Sequence, residues 1–170
     1  VHMSRGLGDV YKRQVNKNGH RFSNESQNYV SFVTDMFDEY EKGNPCAPCY
    51  MIFDSNFRKN RPCGPLLQAS MQPDSRVPKE WWDPSFLSKA DTLEELAEIV
   101  GIDAKGLIET QVKVNEYSKT GKDLDFQRGD DAYDRYYGDP SVKPNPCLAP
   151  LNEGPYYCCL LYTSDAADDW

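Results

Sequence analysis

Proline and glycine are concentrated in two long stretches of this chain. These stretches restrict the possible folds of the chain more than any other feature of the sequence. The segment 60–84 contains six helix and strand breakers: Pro62, Gly64, Pro65, Pro73, Pro78 and Pro84. The segment 125–157 is again rich in proline and glycine and is unusually aromatic. Disordered segments lack aromatic side chains, so we expect both stretches to be long ordered loops. Regular structure is therefore confined to the other residues.

A first amphipathic helix is predicted between Ser26 and Lys42, where apolar residues recur at helical spacing. Its apolar stripe consists of Tyr29, Phe32, Val33, Met36, Phe37 and Tyr40. Ser23 and Asn24 are good N-cap residues for it, and Gly43 ends it.

Two further helices and two strand regions complete the pattern. Thr92 begins a capping box for a helix that Gly101 closes, and Asp103 begins a longer helix to about Lys119. Residues 15–22 indicate a short hairpin, and Cys49 to Phe53 indicates a buried strand. The predicted class is α+β, with short strands, helices and long ordered loops.

The two ends of the chain match translated sequencing adapters. Residues 4–14 read SRGLGDVYKRQ and residues 159–168 read CLLYTSDAAD. These are translations of the two orientations of a transposase sequencing-library adapter. We therefore expect 1–14 and 159–170 to be non-native and to lie outside the core. Residues 15–158 are then the biological segment, which starts and stops within a longer protein; the alternative is a native leader and a native acidic tail.

Charge and hydropathy exclude two classes of partner. The net charge is −8, and no stretch of clustered lysine and arginine is present, so we expect no nucleic-acid binding. No apolar run approaches the roughly 18 residues of a membrane span, and the N-terminal residues contain no apolar region typical of a secretory signal. We expect a cytoplasmic protein without a membrane span.

Cysteine usage favours reduced thiols. Without the adapter-derived Cys159 five cysteines remain, an odd number. Cys46 and Cys49 have the spacing of half a zinc site or of a redox pair. A zinc site needs two more ligands, and a redox pair normally precedes a helix, whereas a strand follows here. We predict no metal site.

Other chemistry-bearing residues give weak signals. His20 follows a glycine turn and is predicted to be exposed rather than catalytic. The aspartates between 123 and 139 do not have the spacing of a calcium-binding loop. They are interpreted as a solvated loop whose charges Arg128 and Arg135 satisfy.

Several motifs resemble those of fumarate-reductase/ketosteroid-dehydrogenase flavoproteins. They read VNKNGHRFSNE at 15–25, NESQNY at 24–29, DTLEEL and GID at 91–103, RGDDAYDRYYGDP at 128–140 and GPYY at 154–157. The motif at 128–140 is the longest and resembles the 3-ketosteroid dehydrogenase branch of the family. Together the motifs span nearly all of residues 15–158.

The resemblance implies that residues 15–158 are the substrate-binding cap domain of an FAD-dependent oxidoreductase. It places the Rossmann phosphate loop, a second catalytic tyrosine and a glycine-rich oxyanion segment outside these residues. We expect FAD in the complete parent protein, which carries the FAD domain in the same chain. No cofactor-binding residue is assigned here, and the isolated fragment is expected to be inactive and not to bind FAD.

Tyr29 matches the catalytic tyrosine of the family, and the implied substrate is a 3-keto steroid or a similar cyclic ketone. A base must lie near the substrate α-carbon, and a phenol of usual pKa near ~10 serves only where its surroundings favour the phenolate. The resemblance implies that Tyr29 accepts the proton and that the flavin accepts the hydride. Spacing alone places Tyr29 equally well in the helix core. Leu66 and Leu67 either line the apolar pocket that a steroid needs or serve plain packing.

Two alternatives stay open. A fumarate-reductase-like flavoprotein would act on a dicarboxylate and would need arginine side chains to hold the substrate carboxylates. A small zinc or binding module would use the Cys46/Cys49 pair.

Overall fold

The computed structural model of the chain describes residues 9–44 and 46–161. Its strands and helices are β1 (Arg13–Val15), α1 (Tyr29–Glu41), β2 (Cys49–Phe53), α2 (Ser55–Asn60), β3 (Leu87–Ala90), α3 (Leu93–Val100), α4 (Ala104–Thr120), α5 (Ala132–Tyr136) and β4 (Tyr156–Leu161). This arrangement confirms the α+β class.

One four-stranded sheet organises the molecule, with strand order β1-β2-β4-β3 and every pair antiparallel. Side chains alternate between the two faces of a strand. Met51 and Phe53 of β2 therefore join a core with Phe32 of α1, and Ile52 joins a second core with Leu93 of α3. The sheet is thus covered by helices on both faces.

Helix α1 begins at Tyr29, three residues later than Ser26, where the sequence pattern placed its start. The Asn28 side chain accepts a hydrogen bond from the Ser31 amide and caps the helix. Asn24 instead accepts from the Ser26 amide at 2.9 Å, so residues 24–27 form a separate turn. Asn24 therefore stabilises the turn before the helix, and Asn28 caps the helix itself.

Helices α3 and α4 have the caps that the sequence predicted. The Thr92 hydroxyl accepts from the Glu95 amide, and Gly101 ends α3 in the left-handed conformation. Asp103 caps α4, which ends at Gly121. Helix ends are well marked in sequence because capping needs only local partners.

One carboxylate connects the long segment 60–84 to three other elements. Asp74 accepts hydrogen bonds from Arg58, Lys89 and Tyr157 at 2.7 to 3.1 Å. It therefore ties the segment to α2 and to strands β3 and β4. Apart from two single turns of 3-10 helix the segment is irregular, as its prolines predicted.

The expectation that both ends lie outside the core is wrong for their described parts. Leu160 and Leu161 are each 8% exposed and belong to the two core clusters, within β4. Val10 and Arg13 are each 1% exposed. A strand is held by backbone hydrogen bonds that any extended apolar sequence can form, so the sheet accepts the residues CLL whatever their origin. Residues 1–8 and 162–170 lie outside the described part.

Candidate active site around Tyr29

Tyr29 is the first residue of α1 and is 43% exposed, so it lies at the edge of the core. Phe32 and Met36 form the buried side of the same stripe. The ring of Phe32 packs against Phe22 with centroids 5.5 Å apart, which fixes the first turn of the helix on the sheet. This arrangement leaves the Tyr29 side chain partly accessible next to a fixed backbone.

The accessible side of α1 carries large apolar side chains besides Tyr29, mixed with polar residues such as Asp38. Val30, Phe37 and Tyr40 are all exposed. The predicted stripe is therefore divided, with one edge packed in the core and the other facing outward. Exposed apolar side chains on the same helix as Tyr29 can contact an apolar substrate or another part of a larger protein.

The turn at 24–27 leads directly into Tyr29 and is held by side chains from a distant part of the sequence. Asn24 donates to the Asp134 carboxylate at 2.8 Å. Arg128 donates from Nε to the Ser26 hydroxyl at 2.8 Å and from a terminal nitrogen to Glu25 at 3.0 Å. The motifs at 15–25 and 128–140 thus meet in space.

Beneath this turn lies a buried charge network of Arg21, Glu25, Asp123 and Arg128. Arg21 forms a two-point pair with Glu25 at 2.7 and 2.8 Å and a second pair with Asp123 at 2.8 Å. Burial opposes ionisation of Glu25, but attraction to Arg21 and Arg128 outweighs it and lowers the pKa of Glu25 to about 2. Sequence reasoning missed this network. The charge-bearing motif residues were its signal.

The aspartates at 123–139 form the expected solvated loop only in part, because half of them are exposed and half are not. Asp123, Asp134 and Asp139 are buried. Each has partners within the chain; Asp139, for example, pairs with Arg61 at 2.8 Å. Spacing along the sequence does not show that separate segments supply the opposite charges.

The two leucines proposed for substrate contact point to different surroundings. Leu66 is buried in the core cluster that contains Phe57, whereas Leu67 is exposed. The Leu67 carbonyl accepts from Arg58 at 2.6 Å, which fixes its backbone. The structure therefore brings neither side chain into a closed pocket with Tyr29 in the described residues.

Cys46 and Cys49 are free and buried. Burial raises the pKa of Cys46 to about 11 and that of Cys49 to about 12, which disfavours the thiolate that both metal binding and redox chemistry require. Among residues 9–44 and 46–161, no group of three or more His, Cys, Asp or Glu side chains could hold a metal ion. His20 is exposed, as predicted.

Three of the arginines that could hold a dicarboxylate substrate are engaged within the chain. Arg21 and Arg128 belong to the buried charge network, and Arg58 is buried against Asp74. These three guanidinium groups already bind carboxylates of the protein itself.

With this geometry established, comparison with known proteins is informative. The family model described as FAD binding domain matches residues 5–165. The chain belongs to the FAD binding domain family.

Its relatives within the family agree with the resemblance read from the motifs. A 3-oxosteroid 1-dehydrogenase from Mycolicibacterium smegmatis is 39% identical over 155 residues, which cover 89% of this chain and 26% of that protein. A 4-oxocyclohexanecarboxylate 2-dehydrogenase from Sinomonas cyclohexanicum is 36% identical over 146 residues, 84% of this chain and 24% of that protein. The chain thus spans about a quarter of the length of these curated relatives.

A solved structure shares the fold closely. The 3-ketosteroid delta1-dehydrogenase from Sterolibacterium denitrificans, in complex with 1,4-androstadiene-3,17-dione, superimposes with a TM-score of 0.81 at 40% identity. The match covers 91% of this chain and 28% of that chain. The predicted resemblance to the 3-ketosteroid dehydrogenase branch is confirmed.

The described residues do not fit the pyrophosphate of FAD. Dinucleotide folds hold it at a glycine-rich turn between a parallel strand and a helix N-terminus. All four described strands pair antiparallel. Asp54 caps α2, and its carboxylate accepts from the Phe57 amide; Thr92 caps α3, which has Glu94 and Glu95 in its first turn. Both helix starts are capped by the chain's own side chains, and acidic groups there repel a phosphate.

No helix in the described part of this FAD binding domain chain is both long enough and apolar enough to cross a bilayer.

Proposed function

We propose that this chain is the substrate-binding cap part of an FAD-dependent dehydrogenase that acts on a 3-keto steroid or a similar cyclic ketone. The observation that carries the proposal is Tyr29, which is accessible at the start of α1, a helix that also exposes the apolar side chains of Val30 and Phe37. The relatives named 3-oxosteroid 1-dehydrogenase and 4-oxocyclohexanecarboxylate 2-dehydrogenase support the substrate class, because both names denote cyclic ketones.

Tyr29 is the proposed base. Removal of two vicinal hydrogens from a ketone begins with loss of an acidic proton beside the carbonyl, and a phenolate within hydrogen-bonding reach can accept it. In the parent protein FAD, bound by residues outside the described part, supplies the hydride acceptor. The task of this chain is to hold the Tyr29 oxygen at a fixed place on an apolar surface.

Replacement of Tyr29 by phenylalanine tests this role in the parent protein. The ring and its contacts are kept and only the hydroxyl is removed, so folding and flavin content should be unchanged. Loss of a general base typically costs about 10²–10⁴-fold in rate. Turnover of a 3-keto steroid at matched flavin occupancy measures the effect.

Tyr40 offers a matched control, because it is also an exposed tyrosine of α1. Tyr40→Phe should leave turnover within a few-fold of wild type. If Tyr29→Phe also retained near-normal turnover, the proton would be removed by another group and the assignment would be lost.

The boundaries of the biological segment are part of the proposal. We propose that residues 15–158 belong to the parent protein and that 1–14 and 159–170 are adapter translations. The FAD-binding residues would then lie elsewhere in the same parent chain, and the fragment alone would be inactive. The odd number of cysteines in residues 15–158 supports a reducing, cytoplasmic compartment for the parent. The uninterrupted genomic reading frame across Val15 and Cys158 tests the boundaries.

A further inference from the structure

The turn at 24–27 is the one stretch next to Tyr29 whose described side chains are held from the far end of the sequence. Asn24 and Ser26 bind Asp134 and Arg128, more than 100 residues away. The helix itself does not need these contacts to begin, because Asn28 caps it through the exposed Ser31 amide. The distant contacts therefore set where the helix starts relative to the rest of the molecule.

The side chains that hold the turn are far more buried than the residue they precede. Arg128 is 0% exposed and Asp134 is 2% exposed, whereas Tyr29 is 43% exposed. Asp134 also accepts from the Gly129 amide at 2.8 Å, so it joins the turn to the backbone next to Arg128. A partly accessible tyrosine thus closely follows a turn that buried side chains hold by hydrogen bonds.

Ion pairs keep the turn at 24–27 rigid. Glu25 pairs with both Arg21 and Arg128, with side chains 3% exposed or less. Ion pairs so far from water are weakly screened, and their geometry resists change. Movement of the turn would require several such contacts to break together.

We propose that Arg128 and Asp134 are positioning residues for Tyr29: they fix the turn at 24–27 and so place the Tyr29 hydroxyl for proton removal. This inference rests on the proposed function of Tyr29. Misplacement of a reacting group by about 1 Å can cost ~10²-fold in rate, so a positioning role has a measurable kinetic signature.

Two conservative variants test it. Ser26→Ala removes the acceptor of the Arg128 Nε–H and leaves every ion pair intact. Arg128→Lys keeps the positive charge but cannot donate to Ser26 and Glu25 from two fixed nitrogens. Ser31→Ala is the matched control, because Ser31 lies in the same region and contacts Asn28 alone among the described hydrogen bonds.

In the 170-residue chain, hydrogen exchange of the Ser26 and Gln27 amides should rise about tenfold in Ser26→Ala and more in Arg128→Lys. Both amides donate to Asn24 in the wild type. Amides of α4 should keep their wild-type rates. Ser31→Ala should leave the turn unchanged.

In the parent protein, the same two variants should lower kcat by about 10- to 100-fold while KM changes less than about threefold. The apparent pKa of the kcat profile should not move, because neither substitution changes the net charge of the network. Wild-type exchange in the turn together with wild-type kcat in Ser26→Ala would overturn the positioning role. A wild-type parent protein without turnover of a 3-keto steroid would instead overturn the proposed function, and the exchange result would still stand.

Discussion

Two buried arginines of this chain have opposite surroundings. Arg128 donates to the Glu25 carboxylate and the Ser26 hydroxyl within the buried charge network. Arg13 of β1 donates to the backbone carbonyls of Val10, Lys12 and Ala149, and its Nε–H has no partner among the described residues. Burial, and then repulsion from Arg128, lowers the pKa of Arg13 to about 9. Burial thus disfavours the charge of Arg13, whereas the charge of Arg128 pairs with a carboxylate.

The two arginines differ in how the cost of burying their charge is compensated. A buried ion costs several kcal/mol unless carboxylates and hydrogen bonds compensate for it. Arg128 has that compensation from the motif residues, and Arg13 occupies a fully buried strand position of the kind that apolar side chains normally fill. This accords with the proposal that residues 1–14 are not part of the biological segment.

Arg128→Met sharpens the comparison most. The substitution leaves Glu25 buried with one arginine fewer and removes the donor to Ser26. Breaking a buried pair by removing one partner costs about 3–5 kcal/mol. Urea unfolding of the chain should show this loss in the free energy of unfolding, and a loss below about 1 kcal/mol would mean that the network does not stabilise the fold.

Acid should remove part of the same stability. The folded-state pKa of Glu25 is about 2, below the unfolded value of 4.5, so unfolding takes up protons. The contribution of Glu25 is therefore complete above about pH 5 and is lost as the pH falls towards 2. Unfolding free energies measured at several pH values should show this loss.

Glu25→Gln serves as the reference, because other carboxylates titrate in the same range. The difference in unfolding free energy between wild type and Glu25→Gln should shrink steadily as the pH is lowered. A difference that does not vary with pH would contradict the lowered pKa.

Arg13→Met should have the smallest effect and the opposite sign. Methionine fills a similar volume and removes an ion that no carboxylate of the described residues pairs with, so the free energy of unfolding should rise by about 1 kcal/mol. The same urea assay compares it with Arg128→Met. A loss above about 2 kcal/mol would show that the carbonyl contacts of Arg13 compensate its burial, and the contrast between the two arginines would disappear.

Elements whose signals are local were predicted well from the sequence. Strand β2 and the caps Thr92, Asp103 and Gly101 lie where the pattern placed them. Helices α2 and α5 were not predicted, because each is a single short turn region capped by an aspartate, without an apolar stripe to mark it.

The candidate site was predicted only in part from the sequence. The resemblance selected Tyr29, and helical spacing placed it on α1, but spacing could not decide between core and surface. That depended on which edge of the stripe the sheet covers. The sequence also showed the motif residues Arg21, Glu25 and Arg128, but it did not show that they pair with one another. A charged residue gives the same sequence signal whether its side chain faces water or a carboxylate.

The sequence by itself determined the family, the α+β class, and most helix ends and their caps, because these follow from motifs and from contacts within a few residues. The tertiary structure alone decided that Leu160 and Leu161 enter the core, that Arg128 binds a carboxylate whereas Arg13 binds backbone carbonyls, and that Tyr29 is accessible. Each of these depends on contacts across the sheet or between segments about 100 residues apart. Burial and charge pairing are properties of the packed chain, and no local pattern encodes the distant partner.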